Sequence, residues 1–360
     1  MLSPKLVIAL SVNLAIGVVM GAFLGPQLGS FWNRSKDLIS PFVAQEKPKP
    51  LPLLKYAIST LAAQTFHSSD SITLTRTTQT TPKFTSQIFK FTTTGKTMTG
   101  LANIPTGIAP KSGWPVLIMV RGYVPPEIYQ PGVGTKSGGE FFAENGFVTL
   151  APDFLGYGDS DPDLTDSWES RFIKPVQLVE LIKTVTQKPQ LKATDSAQTV
   201  TINPAKLGLW THSNGGQITL TALEILHEPL PASFWAPVTA PFPYSLLYFS
   251  DEADDEGKAT RNWIAQFERD YDVFDFSLTQ HLDLLHGEFQ LHHGTADDSA
   301  LKSWSDEFLA KIKKTNATRP KDDQIKFNYF VYPGANHNLQ PGWNTAIGRD
   351  LIYFQKQFEI

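Results

Sequence analysis

The stretch KLGLWTHSNGGQITL, residues 206–220, decides the fold because a strand-like apolar run passes directly into a helix-like run. Ser213 stands at the junction, followed by Gly215 and Gly216. A sharp strand-to-helix turn lifts a serine hydroxyl clear of the sheet, and small residues on either side let strand and helix approach closely. Thr211 is bulkier than the glycine such a turn favours. The alternative, a serine that only caps the helix, leaves the two glycines unexplained, so Ser213 is predicted as a nucleophile.

The rest of the chain repeats this alternation of strand and helix. Short apolar runs predict buried parallel strands, and segments with helical periodicity lie between several of them. A segment rich in Thr, Ile and Phe, residues 72–104, predicts antiparallel strands. The sequence therefore predicts an α/β fold with a mostly parallel central sheet, antiparallel N-terminal strands and helices on both faces. The predicted parallel strands are 115–122, 147–153, 206–213, 232–240, 289–294 and 325–334.

Two loops that follow late strands supply the partners that a serine nucleophile requires. Asp297 and Asp298 follow one strand, and His337 follows the next. A base must take the serine proton and an acid must orient that base, and in this architecture the chain order is serine, acid, histidine. The sequence predicts Ser213, Asp297 and His337 as the catalytic residues. Asp298 is the alternative acid.

The tetrahedral intermediate of such a reaction needs hydrogen-bond donors for its oxyanion. One predicted donor is the backbone N–H of Asn214, at the start of the helix after the nucleophile. The other comes from the loop after the first central strand, VRGYVPP, where Gly122 and Tyr123 are both candidates and Tyr123 is preferred.

Other polar residues are predicted to have supporting roles. His212 flanks the nucleophile and is expected to line the pocket, while His292 and His293 are expected to pack or to support the site. Arg171 is expected to be structural. A histidine-only metal site lacks the His-x-x-x-His helical pair that would indicate one, so neither metal nor cofactor is implied.

Composition excludes several classes of function. The chain has 360 residues, 41% of them apolar, a net charge of −4 and no cysteine. Without a basic excess, nucleic acid is not an expected partner. Without cysteine, disulfides, thiolate nucleophiles and cysteine-ligated metals are excluded.

The N-terminus contains an apolar run of 19 residues, Leu6 to Leu24. At 1.5 Å per residue it spans about 28 Å, close to the hydrocarbon core of a bilayer. The run is long for a secretory signal and no small-x-small cleavage site follows. We expect an uncleaved single-pass anchor with the remaining chain outside the cytoplasm, and a cleaved signal of a secreted protein is the alternative.

These features predict three regions: an anchor at residues 1–30, a proline-containing linker at 31–56 and a catalytic domain at 57–360. Residues 241–288 form a long insertion between two strands, which is expected to be a lid. The acidic run at 251–256 is expected to be solvated surface, although it could attract a cationic substrate such as a peptide amine.

Several stretches together resemble a known family. FFAENGFVTLAPDFLGYGDSD (141–161), GLWTHSNGGQITL (208–220), LHHGTADDSA (291–300) and YPGANHN (332–338) are similar to the α/β-hydrolase superfamily, specifically the catalytic domain of the prolyl oligopeptidase and dipeptidyl-aminopeptidase/acylaminoacyl-peptidase group. By the family pattern, Ser213, Asp297 and His337 correspond to nucleophile, acid and base. Thr211 departs from the usual glycine, and we expect no counterpart of the oligopeptidase propeller.

The resemblance implies a serine hydrolase that cleaves small esters or short peptides through an acyl-enzyme, without a cofactor. Ester and peptide substrates both remain open, with esters slightly preferred. The alternative from another class is a catalytically silent binding or scaffold domain that keeps the fold. All three expected catalytic residues are retained in order, which favours the enzyme.

Overall fold

Ten strands form a single sheet at the centre of the structure, a computed structural model that describes residues 49–68, 70–194, 199–250 and 254–360. The strands are β1 (Thr73–Thr80), β2 (Phe84–Thr93), β3 (Lys96–Pro105), β4 (Trp114–Val120), β5 (Val148–Pro152), β6 (Gln190–Ala193), β7 (Thr199–His212), β8 (Ala232–Trp235), β9 (Glu288–Gly294) and β10 (Lys326–Tyr332). Their order across the sheet is β10-β9-β8-β7-β4-β5-β3-β2-β1-β6.

Helices connect these strands and cover the sheet. They are α1 (Ile58–Ala62), α2 (Lys136–Glu144), α3 (Ser167–Gln187), α4 (Asn214–Leu226), α5 (Tyr244–Ser250), α6 (Lys258–Glu268), α7 (Lys302–Asn316) and α8 (Trp343–Phe358). One apolar cluster packs α3, α4 and α7 against the sheet, and a second packs α2 and α8 against it. Because apolar side chains of the strands enter both clusters, the sheet is buried on both faces.

The observed topology confirms the predicted fold class. Strands β4, β5, β7, β8, β9 and β10 pair in parallel, while β1, β2 and β3 form an antiparallel meander whose last strand pairs antiparallel with β5. The short strand β6 was not predicted. It pairs with the first residues of β7, which is therefore longer than the predicted strand at 206–213.

The insertion at 241–288 packs over one end of the sheet. Its described residues form α5, α6 and three short 3-10 helices, and their side chains form a third apolar cluster with the start of α3. In that cluster the rings of Trp168 and Trp263 stack with centroids 3.5 Å apart. The insertion thus packs through apolar contacts of its own.

The compact unit begins at Leu51, six residues before the predicted boundary at residue 57. Leu53 and Ala57 lie in the same apolar cluster as Trp168, so the end of the predicted linker packs against the domain. Across the described residues, no helix has the length and apolar character to cross a membrane. The predicted anchor at Leu6–Leu24 lies outside the described residues and stays a prediction.

Candidate active site

Ser213 lies between the end of β7 at His212 and the start of α4 at Asn214. Its backbone has φ 56° and ψ −123°, a region that residues other than glycine seldom adopt. The turn is anchored because the N–H of Ser213 donates to the carbonyl of Trp235 at 2.9 Å and its carbonyl accepts from the N–H of Val238 at 3.0 Å. The strained turn lies at the carboxyl edge of the parallel strands, where open α/β sheets bind ligands.

Glycines around the turn are required by close approach. A Cβ added to Gly216 would lie 2.5 Å from Cβ of Pro237, and one added to Gly122 would lie 2.8 Å from Cβ of Ser213. Both separations are shorter than real Cβ contacts. Thr211, by contrast, is fully buried in β7. The turn therefore depends on the glycines after Ser213 and opposite it, and the larger residue at 211 is accommodated.

Asp297 and His337 form a hydrogen-bonded pair next to this turn. Nδ1 of His337 lies 3.0 Å from Oδ1 and 2.9 Å from Oδ2 of Asp297. Their two loops are joined because the N–H of Ala296 donates to the carbonyl of Ala335 at 2.9 Å. If Nδ1 carries the proton of this hydrogen bond, Nε2 of His337 is left as the basic nitrogen.

The carboxylate of Asp297 is held from several sides. Its Oδ1 accepts from the N–H groups of Ser299 and Ala300, both at 3.0 Å, and its Oδ2 lies 3.2 Å from Nε2 of His293. Burial raises the pKa of Asp297, but the hydrogen bonds from His293 and His337 outweigh it and hold the pKa below its usual range. Asp297 is therefore a carboxylate at neutral pH, fixed by groups other than His337 alone.

Asp298, the alternative acid, has different contacts. Its carboxylate accepts from the hydroxyl of Ser299 at 3.2 Å, and its carbonyl accepts from the hydroxyl of Tyr248 at 3.1 Å. The contact with His337 thus belongs to Asp297. The hydroxyl of Ser213 is on the same edge of the sheet but forms no hydrogen bond with His337 among the described residues.

His212 links the turn at Ser213 to the loop of His337. Its Nε2 lies 3.0 Å from the carbonyl oxygen of His337, and the centroids of the two imidazole rings are 4.6 Å apart. Burial, followed by the proximity of His337, lowers the pKa of His212 to about 4. His212 is consequently neutral at neutral pH, and it positions the loop.

His292 and His293 lie on opposite sides of β9, and of these two only His293 reaches the site, through its contact with Asp297. His292 is buried with its Nε2 2.9 Å from Asp350, and Nδ1 of His293 lies 2.9 Å from the hydroxyl of Ser305. Within the described part of the chain, no cluster of histidine and acidic side chains could hold a metal ion.

The loop after β4 carries the predicted oxyanion donor Tyr123. In the described structure, the N–H groups of Tyr123 and Asn214 donate to no backbone carbonyl. Arg121 fixes this loop, because its guanidinium donates to the carbonyls of Gly122 and Asp153, each at 2.9 Å. Arg121 is thus a positioning residue that the sequence did not indicate, and the roles of Tyr123 and Asn214 as oxyanion donors stay predictions.

Arg121 is itself held by aromatic rings and a buried acid. Its guanidinium carbon lies 4.6 Å from the ring centroid of Tyr129 and 4.1 Å from that of Tyr157. Tyr129 and Thr99 both donate to the carboxylate of Asp153 at 2.6 Å. Burial raises the pKa of Asp153, and these hydrogen bonds oppose the shift. The loop after β4 therefore rests on a layer of hydrogen-bonded and aromatic side chains.

A cavity of about 360 Å³ opens beside the turn. Gly122, Tyr123 and Asn214 line one part of it, and the insertion at 241–288 contributes apolar side chains. Arg171, which the sequence suggested was structural, also lines this cavity. The insertion thus lines the space next to Ser213, and its role as a lid stays a prediction. The side chains from the insertion are Phe242, Leu246, Trp263 and Phe276.

Solved structures with the same fold include esterases and peptidases. Acetyl xylan esterase 1 from Thermoanaerobacterium sp. JW/SL YS485 matches with a TM-score of 0.57 and 13% identity over 85% of this chain and 94% of that one. The acetyl xylan esterase from Paenibacillus sp. R4 matches with a TM-score of 0.58 and 14% identity over 84% and 99%. Dipeptidyl peptidase 4 of Porphyromonas gingivalis matches with a TM-score of 0.52 and 17% identity over 77% of this chain and 36% of that one.

The sequence profile of the prolyl oligopeptidase family, Peptidase_S9, matches residues 136–358. The match includes the turn at Ser213, the insertion and both loops that carry Asp297 and His337. With more than half of the chain matched and the α/β-hydrolase fold observed, the chain belongs to the prolyl oligopeptidase family.

Proposed function

We propose that the protein is a serine hydrolase in which Ser213, His337 and Asp297 form the catalytic triad. The observation that carries this proposal is the Asp297–His337 pair beside the strained turn of Ser213. His337 would take the proton of the Ser213 hydroxyl as it attacks a carbonyl carbon. The protonated imidazole would be stabilised by Asp297, and would then donate its proton to the leaving group.

The oxyanion would be bound by the backbone N–H groups of Asn214 and Tyr123. Asn214 is the first residue of α4, so its N–H has no partner within the helix. Each such donor contributes about 2.7–4 kcal/mol to stabilisation of the transition state. Water would then release the acyl group from Ser213 by the same steps in reverse.

Esters are the proposed first class of substrate, and short peptides are the second. The family and the match to dipeptidyl peptidase 4 support a peptidase. The cavity supports an ester, because its charged lining is mainly cationic and would repel the protonated amine of a peptide N-terminus. The cationic residues are Arg121, Arg171 and Lys174, and the acidic one is Asp163.

The test compares the full chain with Ser213→Ala on p-nitrophenyl butyrate and on a dipeptidyl p-nitroanilide. We expect Ser213→Ala to lower kcat by at least about 10⁴-fold on the better substrate. Ser303→Ala, which changes an exposed serine on α7, is the matched control and keeps wild-type rates. A fluorophosphonate should label Ser213 in wild-type protein.

The two outcomes separate the hypotheses. Equal turnover by wild type and Ser213→Ala would show that Ser213 is not the nucleophile. A wild-type protein that is inert on both substrates and is not labelled would favour the catalytically silent domain.

A further inference from the structure

More positive than negative side chains line the cavity beside Ser213. Two of its three cationic side chains have partners in the protein. Lys174 donates to the carbonyl of Ser170 at 2.8 Å and lies 4.0 Å from the carboxylate of Asp163. Arg121 donates to two backbone carbonyls and lies near the carboxylate of Asp153, which its charge stabilises. These two cations therefore have local partners.

Arg171 is different. Its Nη2 donates to the side-chain oxygen of Gln217 at 3.2 Å, and its guanidinium carbon lies 5.8 Å from the ring centroid of Phe242. No carboxylate in the described ranges forms an ion pair with it. Burial lowers the pKa of Arg171 to about 10, so it still carries its charge at neutral pH. A guanidinium has five N–H donors, and among the described residues the hydrogen bond to Gln217 leaves most of those of Arg171 without a protein acceptor.

The position of Arg171 relative to the nucleophile is set by α4. Gln217, its hydrogen-bond partner, lies four residues after Ser213, about one helical turn or roughly 6 Å along the helix. Ile218 and Phe172 also line the cavity and supply apolar surface. A group bound by Arg171 would thus lie a short chain of carbon atoms away from a carbonyl held at Ser213.

We propose that this cavity selects substrates that carry a carboxylate close to the scissile ester, with Arg171 as the residue that binds it. A carboxylate matches the guanidinium in charge and in its fork of two acceptor oxygens. The inference rests on the proposed hydrolase function and adds its substrate class. The carboxylate could belong to the acyl group or to the leaving group, and the test separates these two sources.

The test uses two pairs of esters, and the members of each pair differ in one charge and one methyl group. The first pair, p-nitrophenyl hydrogen glutarate and p-nitrophenyl methyl glutarate, places the carboxylate on the acyl group. The second pair, 4-acetoxybenzoate and its methyl ester, places it on the leaving group. We expect wild-type protein to favour the carboxylate member of one pair by about 10- to 100-fold in kcat/KM.

Variants assign that preference to Arg171. Arg171→Met should reduce the ratio of kcat/KM values within the preferred pair to about one, and Arg171→Lys should keep part of it because the charge remains. Lys326→Met removes an equal charge from the exposed first residue of β10, at the opposite end of the sheet, and should leave the ratio unchanged. Circular dichroism checks that each variant is folded.

The outcomes separate this inference from the proposed function. Equal kcat/KM values within both pairs, with turnover still abolished by Ser213→Ala, would overturn the carboxylate selectivity and leave the hydrolase intact. If no ester is turned over and Ser213 is not labelled, the proposed function fails. Calorimetry then decides the inference: glutarate should bind to wild type more tightly than dimethyl glutarate does, and equal or absent binding would overturn it. The wild-type measurements decide the matter even if Arg171→Met does not fold.

Discussion

Replacement of Asp297 by asparagine tests the proposed triad, because Asp297 contacts His337 whereas the carboxylate of Asp298 contacts Ser299. The substitution keeps the shape of the side chain but removes the charge that faces Nδ1 of His337 at 2.9 Å. An amide can present its NH₂ group to Nδ1, which stabilises the wrong tautomer, and it cannot stabilise the imidazolium that forms during attack by Ser213. The expected loss is about 10⁴-fold in kcat, or about 5.4 kcal/mol at 1.36 kcal/mol per factor of ten.

The assay is steady-state hydrolysis of the best p-nitrophenyl ester, with Asp298→Asn as the matched control. Asp298 is the neighbouring acid, and its carboxylate accepts a hydrogen bond from the hydroxyl of Ser299. Asp298→Asn is therefore expected to stay within about threefold of wild type, because no proposed step uses its charge. If Asp297→Asn retained more than a tenth of wild-type kcat while Asp298→Asn lost activity, the assignment of the acid would be wrong.

Three further changes probe the surroundings of the site. Gly122→Ala places a Cβ 2.8 Å from Cβ of Ser213 and should lower kcat by about 10²-fold by displacing the oxyanion loop, as measured by ester hydrolysis with KM checked separately. Asp350→Ala removes the acceptor of the buried donors of Trp210, Ser233 and Trp235 and one of the two partners of His292 Nε2, and it should lower the free energy of unfolding in urea by about 3–5 kcal/mol. Glu224 is buried without a hydrogen-bond partner among the described residues, and burial raises its pKa well above the usual value. In the unfolded chain Glu224 ionises near pH 4.5, whereas in the folded protein it stays protonated. The burial of Glu224 therefore does not lower the free energy of unfolding through ionisation below pH 4.5, but lowers it progressively as the pH rises above that value. Glu224→Gln should therefore stabilise the protein at pH 7 by at least about 1.4 kcal/mol and have little effect at pH 4; equal effects at both pH values would contradict this reasoning.

The carboxyl ends of the parallel strands and the candidate catalytic residues that follow them could be predicted from the sequence, because each depends on a local pattern. Ser213 follows an apolar run and precedes two glycines, and Asp297 and His337 each follow an apolar run that becomes a parallel strand. Since parallel strands end at one edge of a sheet, correct strands bring these residues together without further information. The preference for Asp297 over Asp298 followed from the turn length, and the contact with His337 agrees with it.

The cavity could not be predicted in the same way, because its lining comes from segments far apart in the chain. Arg171 lies on α3 and reads as one more polar residue on a helix, and only packing of α3 against α4 brings it to Gln217. Arg121 likewise follows a strand without any motif, and its role depends on carbonyls and rings from other loops. The sequence patterns therefore bring the proposed reacting groups together, but they indicated only a structural role for Arg171, on which the inferred selectivity depends.

The arrangement around Asp297 explains why one contact of the proposed triad is formed and another is not. Asp297 is anchored by His293 and by the backbone of Ser299 and Ala300, so its carboxylate is oriented without help from Ser213. No comparable set of contacts orients the hydroxyl of Ser213 toward His337 among the described residues. Catalytic hydrogen bonds often form or tighten only when substrate is bound. A carboxylate held at Arg171 would draw the substrate carbonyl toward the turn of Ser213. Recognition of the charge and assembly of the reactive pair would then occur in the same step.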